Sequence, residues 1–119
     1  MAAFVAIGSR AFRPFQLGLH AEQLGRAGSV DRGLEAVRQA IYLGETTHER
    51  WSESMLHRVH GDLLSLGRDP HGAEAAYERA IEIARRQGTR PLEARARARL
   101  ADLQVGAARP ASRSGRSTR

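Results

Sequence analysis

Residues 49–88 read ERWSESMLHRVHGDLLSLGRDPHGAEAAYERAIEIARRQG, and their pattern of small and large residues indicates the fold. Small residues at Gly61, Ala73 and Ala80 stand among large apolar residues at helical spacing, on both sides of a Gly-containing turn at 66–69. Two apolar stripes of period near 3.6, separated by such a turn, are typical of a pair of antiparallel helices. The stretch therefore predicts a helical hairpin.

The pattern recurs when the chain is aligned with itself at an offset of 40 residues. The aligned sets share their size or charge, and they are Ala21 with Gly61 and Ala101, Glu22 with Asp62 and Asp102, Leu24 with Leu64, Gly33 with Ala73, Val37 with Tyr77, Ala40 with Ala80, and Ile41 with Ile81. One hairpin cannot bury its apolar face alone, so hairpins of this kind stack. The repeat predicts an all-α fold, a short α-solenoid of antiparallel helix pairs.

Local signals predict the ends of the helices. Asp69 before Pro70 is a cap followed by proline at the first helical position. Gly44 and Gly88 stand where a left-handed helix end favours glycine, and residues 46–49 have the spacing of a capping box. These signals predict five helices, at 15–27, 30–43, 49–66, 70–87 and 91–105.

The domain prediction follows from these helices. Residues 15–105 form the repeats, as units 15–44 and 49–88 and a partial unit 91–105. Residues 1–14 are expected to be partly disordered or a remnant helix, and the Ser/Arg/Gly-rich residues 106–119 a disordered basic tail.

The spacing within a unit resembles the tetratricopeptide repeat. Gly61, Ala73, Tyr77 and Ala80 match its small, small, aromatic and alanine steps, and Val37 replaces the aromatic in the earlier unit. The period of 40 differs from the usual 34 of this repeat. The positions that carry the repeat are Ala21, Gly33, Val37, Ala40, Gly61, Ala73, Tyr77, Ala80 and Ala101.

Residues 48–64 and 73–88 are similar to the C-terminal helical-repeat region of bacterial adenylate/guanylate cyclase-like regulators and LuxR-type regulators, and the similarity covers roughly residues 15–104. That resemblance implies a sensor or interaction arm. The catalytic and nucleotide-binding modules of those families are not carried over, because a chain without lysine has no G-x-x-x-x-G-K-[ST] loop.

Composition argues against an enzyme. The chain has no cysteine for thiolate chemistry or metal binding. His57 and His60 lie one helical turn apart, but no carboxylate follows at a spacing that completes a helical metal site, so we predict neither metal nor cofactor. The carboxylates at 74, 78 and 82 alternate with arginines, as on a solvated helix face.

No stretch approaches the roughly 20 apolar residues of a membrane helix. The longest apolar run near the start, residues 2–7, is shorter than the roughly 7–15 residues of a secretory h-region. These features predict a cytoplasmic protein with no membrane partner.

Two classes of function remain open. In the first, the first helices of the units line a concave surface that binds a peptide or protein segment, and the polar candidates on it are Gln16, Gln23, Ser54, Arg58 and Asp62. In the second, the net charge of +6, which lies at the two ends of the chain, serves nucleic-acid-associated regulation. As a further alternative, the chain is a truncated remnant of a larger cyclase-like or ATPase regulator. An exposed last helix also predicts a homodimer or docking on a larger regulator.

Overall fold

The computed structural model describes residues 13–47 and 50–117, and of residues 107–117 it describes the backbone alone. Within this part the chain is all-α, as predicted. Five helices follow one another: α1 (Arg13–Arg26), α2 (Val30–Thr47), α3 (Glu53–Leu66), α4 (Pro70–Gln87) and α5 (Arg90–Ser117). None of these helices combines the length and hydrophobicity that are needed to cross a membrane.

Helices that are adjacent in the chain pack as antiparallel pairs. Between α3 and α4, Ser54 Oγ donates to the carbonyl of Ala80 at 2.9 Å, and the amide of Gln87 donates to the carbonyl of Arg50 at 2.9 Å. The start of α3 and the residues just before it therefore lie beside the C-terminal half of α4, so the two helices are antiparallel. Helix α1 packs on α2 in the corresponding pair, and α5 packs on α4 as the first helix of a third unit.

The first helices of the units, α1, α3 and α5, form one layer. Helix α3 contacts all four other helices, including both α1 and α5. Across the described residues, the two second helices, α2 and α4, do not contact each other. Because the first helices touch and the second helices diverge, the array curves with α1, α3 and α5 on its inner side.

The core lies between the two layers, and the repeat positions fill it. Of the nine predicted repeat positions, eight are buried, and Ala101 is exposed. Ala101 is not covered because α5 continues to Ser117, and within the described residues no second helix of its unit packs on it. The larger core side chains include Leu56, Val59 and Leu63, each contributing about 1.5–3 kcal/mol through burial.

Gly61 allows a close approach between α3 and α4. A Cβ atom at this position would lie 2.5 Å from Cε1 of Tyr77. Because real Cβ atoms do not approach other atoms so closely, any larger residue would push the tyrosine ring out of the helix interface. The small residue that the repeat predicts here is therefore required by packing.

Three helices end in the same way. Gly28, Arg68 and Gly88 have positive φ angles of 89°, 65° and 72°. The backbone N–H of the residue that follows each one donates to a carbonyl five residues earlier, at 2.8, 2.8 and 2.9 Å. The predicted left-handed end at Gly88 is confirmed, as is the cap at Asp69, which accepts a hydrogen bond from the backbone N–H of Gly72.

Three other predicted boundaries are wrong. Gly44 lies inside α2, where it is buried, because α2 continues to Thr47. Thr46 does not begin a capping box, since its hydroxyl donates to the carbonyl of Leu43 in the last turn of α2. The next helix begins at Glu53, after Ser52, which makes no side-chain cap hydrogen bond.

The end of α5 also differs from the prediction. Helix α5 extends beyond the expected end at 105. The backbone of residues 106–117 is helical, whereas the sequence predicts a disordered basic tail over 106–119. Alanine and arginine at 107–109 are good helix formers, and no left-handed residue ends the helix at Gly106. Residues 1–12, which make up most of the predicted N-terminal segment, and residues 118–119 lie outside the described residues.

Candidate partner-binding groove

A groove crosses the inner layer of first helices. Helices α1 and α5 form its walls and α3 forms its floor, and its volume is about 550 Å³. Its lining residues are Phe15, Leu19, Glu22, Arg26, Trp51, Ser52, Met55, Arg58, Leu92, Arg95 and Arg99. A second hollow of about 350 Å³ shares Glu22, Arg26 and Arg99 with it and continues toward Asp102 and Leu103. Together they form a trough along the three first helices.

Contacts between neighbouring first helices set the register of this layer. The ring centroids of Phe15 and Trp51 lie 5.2 Å apart, and Arg58 Nη1 lies 3.3 Å from Oε2 of Glu22. Further along, Arg99 Nε donates to Oδ1 of Asp62 at 3.1 Å. These contacts join residues 36 or 37 apart in the chain, so the first helices run in the same direction.

One end of the groove is apolar. Leu19 and Trp51 are 40% and 48% exposed, and Met55 and Leu92 lie beside them. The tilted packing of the Trp51 ring on Phe15 leaves much of the indole surface accessible. Exposed large apolar side chains that converge in a groove are typical of a surface that binds another molecule.

The other end contains a network of charged groups. Arg58 lies between two carboxylates, with Nη1 at 3.3 Å from Glu22 and 3.0 Å from Asp62. Asp62 also accepts hydrogen bonds from Arg99 and, at 2.5 Å, from the hydroxyl of Tyr77. Burial and this hydrogen bond to Asp62 raise the pKa of Tyr77, so its hydroxyl stays protonated and donates. The network ties α1, α3, α4 and α5 together.

The structure separates the five predicted surface residues into two groups. Gln16 and Gln23 are exposed on α1, whereas Ser54 and Arg58 are only 1% and 4% exposed. The prediction that Ser54 belongs to the surface is wrong, because its hydroxyl bonds the backbone of α4 in the interior. Arg58 and Asp62 border the trough, but their side chains are engaged in the ion pairs that hold the helices together.

Sequence reasoning did not identify the residues that characterise the groove. Phe15 and Leu19 lie on α1, and Trp51 directly precedes α3. The apolar pattern of one helix does not show how it is shifted along its neighbour, so it does not predict that these residues meet. Trp51 precedes α3, which begins at Glu53, and it is half-exposed.

His57 and His60 lie one turn apart on α3, and both are half-buried. Burial lowers the pKa of His57 to about 4, with further contributions from the Arg79 guanidinium and from His60. Burial and the nearby Arg38 also lower the pKa of His60. Over the described residues, no group of three or more histidine, aspartate or glutamate side chains is arranged to hold a metal ion.

Comparison with known proteins adds one relative. An uncharacterized protein of Rhizobium meliloti (strain 1021) is 36% identical to the chain over 100 residues. The match covers 83% of the chain and 10% of the relative, so the chain spans about a tenth of the relative's length. No family model matches the chain. No solved structure gives a significant match either.

Proposed function

We propose that the chain is a non-catalytic protein–protein interaction module that holds a segment of a partner protein along its first helices. The observation that carries this proposal is the groove over α1, α3 and α5, to which three successive units contribute side chains. Leu19 and Trp51 are accessible to a ligand at the apolar end of the groove. The volume of the groove lies within the roughly 300–1,000 Å³ that is typical of ligand clefts.

We also propose that the chain is a tetratricopeptide-like array that serves as a sensor or scaffold arm of a larger, cytoplasmic bacterial regulator. Gly61, Ala73, Tyr77 and Ala80, which match the steps of that repeat, are all buried at helix interfaces. The aligned 100 residues are 10% of the relative, which is therefore about 1,000 residues long. A short stretch within a long protein is the setting expected for such an arm.

A selection of displayed random dodecamer peptides on the full chain tests the interaction module. We expect the selected peptides to bind wild-type chain and to lose at least tenfold in affinity on Leu19→Ser, because this substitution removes an apolar contact in the groove. Tyr42→Ser is the matched control, since Tyr42 is 64% exposed and does not line the groove.

Isothermal titration of each variant with the selected peptides gives the affinities. Equal losses for Leu19→Ser and Tyr42→Ser, or a selection that yields no binding peptide, would contradict the proposal. A peptide that binds both variants as tightly as wild type would place its site outside the groove.

A further inference from the structure

The charges of the groove do not balance. Four arginines line it, at 26, 58, 95 and 99, against a single carboxylate, Glu22. Arg58 and Arg99 are compensated by Asp62, and Arg26 lies 3.6 Å from Glu22. Arg95 is exposed and forms no ion pair or hydrogen bond with any described residue. It is therefore an uncompensated cation in the α5 wall of the groove.

The apolar end of the groove contains a buried hydroxyl without a hydrogen-bond partner. Ser52 lines the groove between Trp51 and Met55 and is 2% exposed. Its Oγ has no hydrogen-bond partner in the part of the chain that the structure describes. A buried hydroxyl without a hydrogen-bond partner destabilises the folded chain, so this end of the groove contains an unsatisfied polar atom.

We propose that the segment bound in the groove is acidic as well as apolar: it places a carboxylate against Arg95 and an apolar side chain against Leu19 and Trp51. This inference rests on the proposed function and specifies its partner. A carboxylate forms charge-assisted hydrogen bonds with a guanidinium, and these are about twice as strong as neutral ones.

A peptide fits the trough better than a nucleic acid does. The second hollow continues the groove, and its lining has three carboxylates, Glu22, Asp62 and Asp102, against two arginines. A nucleic acid carries negative charge at regular intervals, so these carboxylates would repel it where it lies along the second hollow. A peptide with its carboxylate over Arg95 and uncharged residues beyond it avoids that repulsion.

The dodecamers selected on the full chain also test this inference. We expect them to be enriched in aspartate or glutamate next to leucine, isoleucine, phenylalanine or methionine. Trp51 is the single tryptophan of the chain. Binding of a tryptophan-free dodecamer should therefore shift the fluorescence emission of Trp51 to shorter wavelength, and this shift provides the titration signal.

The decisive variant is Arg95→Gln. It should weaken binding of the acidic dodecamers about tenfold, since one charge-assisted hydrogen bond is lost, and should leave the melting temperature unchanged because Arg95 is exposed. Arg32→Gln removes the same charge from an exposed position on α2, away from the groove, and should have no effect. Replacing the acids of the peptide by their amides should weaken binding to wild type but not to Arg95→Gln.

Different failures have different meanings. Peptides that depend on Leu19 but carry no acid, or that bind Arg95→Gln as well as wild type, would overturn the acidic partner and leave the interaction module standing. Loss of dependence on Leu19 would overturn both. A labelled dodecamer of thymidylate that binds more tightly than the peptides, and weakens on Arg95→Gln, would replace the acidic peptide by a nucleic acid.

Discussion

At the scale of single residues, His57 is held neutral by its surroundings. Burial lowers its pKa from 6.5 to about 4, and Arg79 and His60 act in the same direction. Between these two pH values the unfolded chain binds a proton that the folded chain does not. The free energy of unfolding should therefore fall as the pH drops from 6.5 to 4, by about 3 kcal/mol in total from this group.

Urea unfolding at pH 7 and at pH 4.5 measures this effect. Carboxylates also titrate in that range, so the comparison is between wild type and His57→Gln, which should lose markedly less stability on acidification. His71→Gln is the control, because His71 is an exposed histidine on α4. If His57→Gln and His71→Gln lost as much stability as wild type on acidification, His57 would not be the group that is kept neutral.

Two polar residues that the sequence predicts on the surface, Ser54 and Arg58, are buried. Ser54 and Arg58 lie off the apolar stripe of α3, and such a position predicts a surface residue. Positions off the apolar stripe are exposed when only one side of a helix is packed. Helix α3 contacts all four other helices, so positions off the stripe are also covered and their polar groups must find partners inside. Ser54 bonds Ala80, and Arg58 bonds two carboxylates.

At the scale of the helix, Arg68 occupies a position that favours glycine. It ends α3 with a φ of 65°, and it is equivalent by the 40-residue repeat to Gly28, with a φ of 89°. The left-handed conformation costs a residue with a Cβ atom about 1–2 kcal/mol, whereas glycine mainly loses about 0.5–1 kcal/mol through the entropy of the unfolded chain. We expect Arg68→Gly to raise the free energy of unfolding by about 0.5–1 kcal/mol.

Thermal melts of three variants test this expectation. Arg68→Ala removes the charge but keeps the Cβ atom, so it should leave the melting temperature near that of wild type. Gly28→Ala should lower it, and only through backbone strain, because a Cβ atom there meets no atom within 4 Å. A gain in Arg68→Ala equal to that in Arg68→Gly would show that charge, not the left-handed conformation, limits this helix end.

Helix ends were predictable from the sequence where the signal is local. Asp69, Pro70 and Gly88 act on backbone groups within one turn, and all three have the predicted roles. Gly44 and Thr46 carry similar signals, but the end of α2 remains helical around them. A glycine or threonine only permits a helix to end, and the packing of Gly44 in the interior of this helix pair favours continuation.

At the scale of the whole molecule, the repeat predicts the concave layer of first helices but not the apolar side chains that line the groove in it. The 40-residue period identifies which helices are equivalent, and this suffices for the all-α solenoid. The groove depends on the shift between equivalent helices, which brings together residues 36 or 37 apart. That shift follows from side-chain packing between helices and is not encoded in the repeat itself.

The exposed face of α5 leads to a prediction about self-association. Ala94, Ala98, Ala101 and Val105 are all exposed, whereas the positions 80 residues earlier, Pro14, Gly18, Ala21 and Gly25, are all buried on α1. A face that is covered in the first unit is thus open in the third. We expect the full chain to form a dimer through this face, because stacking of an apolar helix face removes it from water.

Sedimentation equilibrium over a range of concentrations measures the mass. Ala98→Glu should give a monomer of unchanged helicity, since it places a charge in the centre of the α5 face. Gln104→Glu adds the same charge at an exposed position about a third of a turn away, and it should leave the dimer intact. A wild-type chain that remains monomeric at every concentration would contradict the prediction. A dimer that persists in Ala98→Glu would locate its interface on another surface.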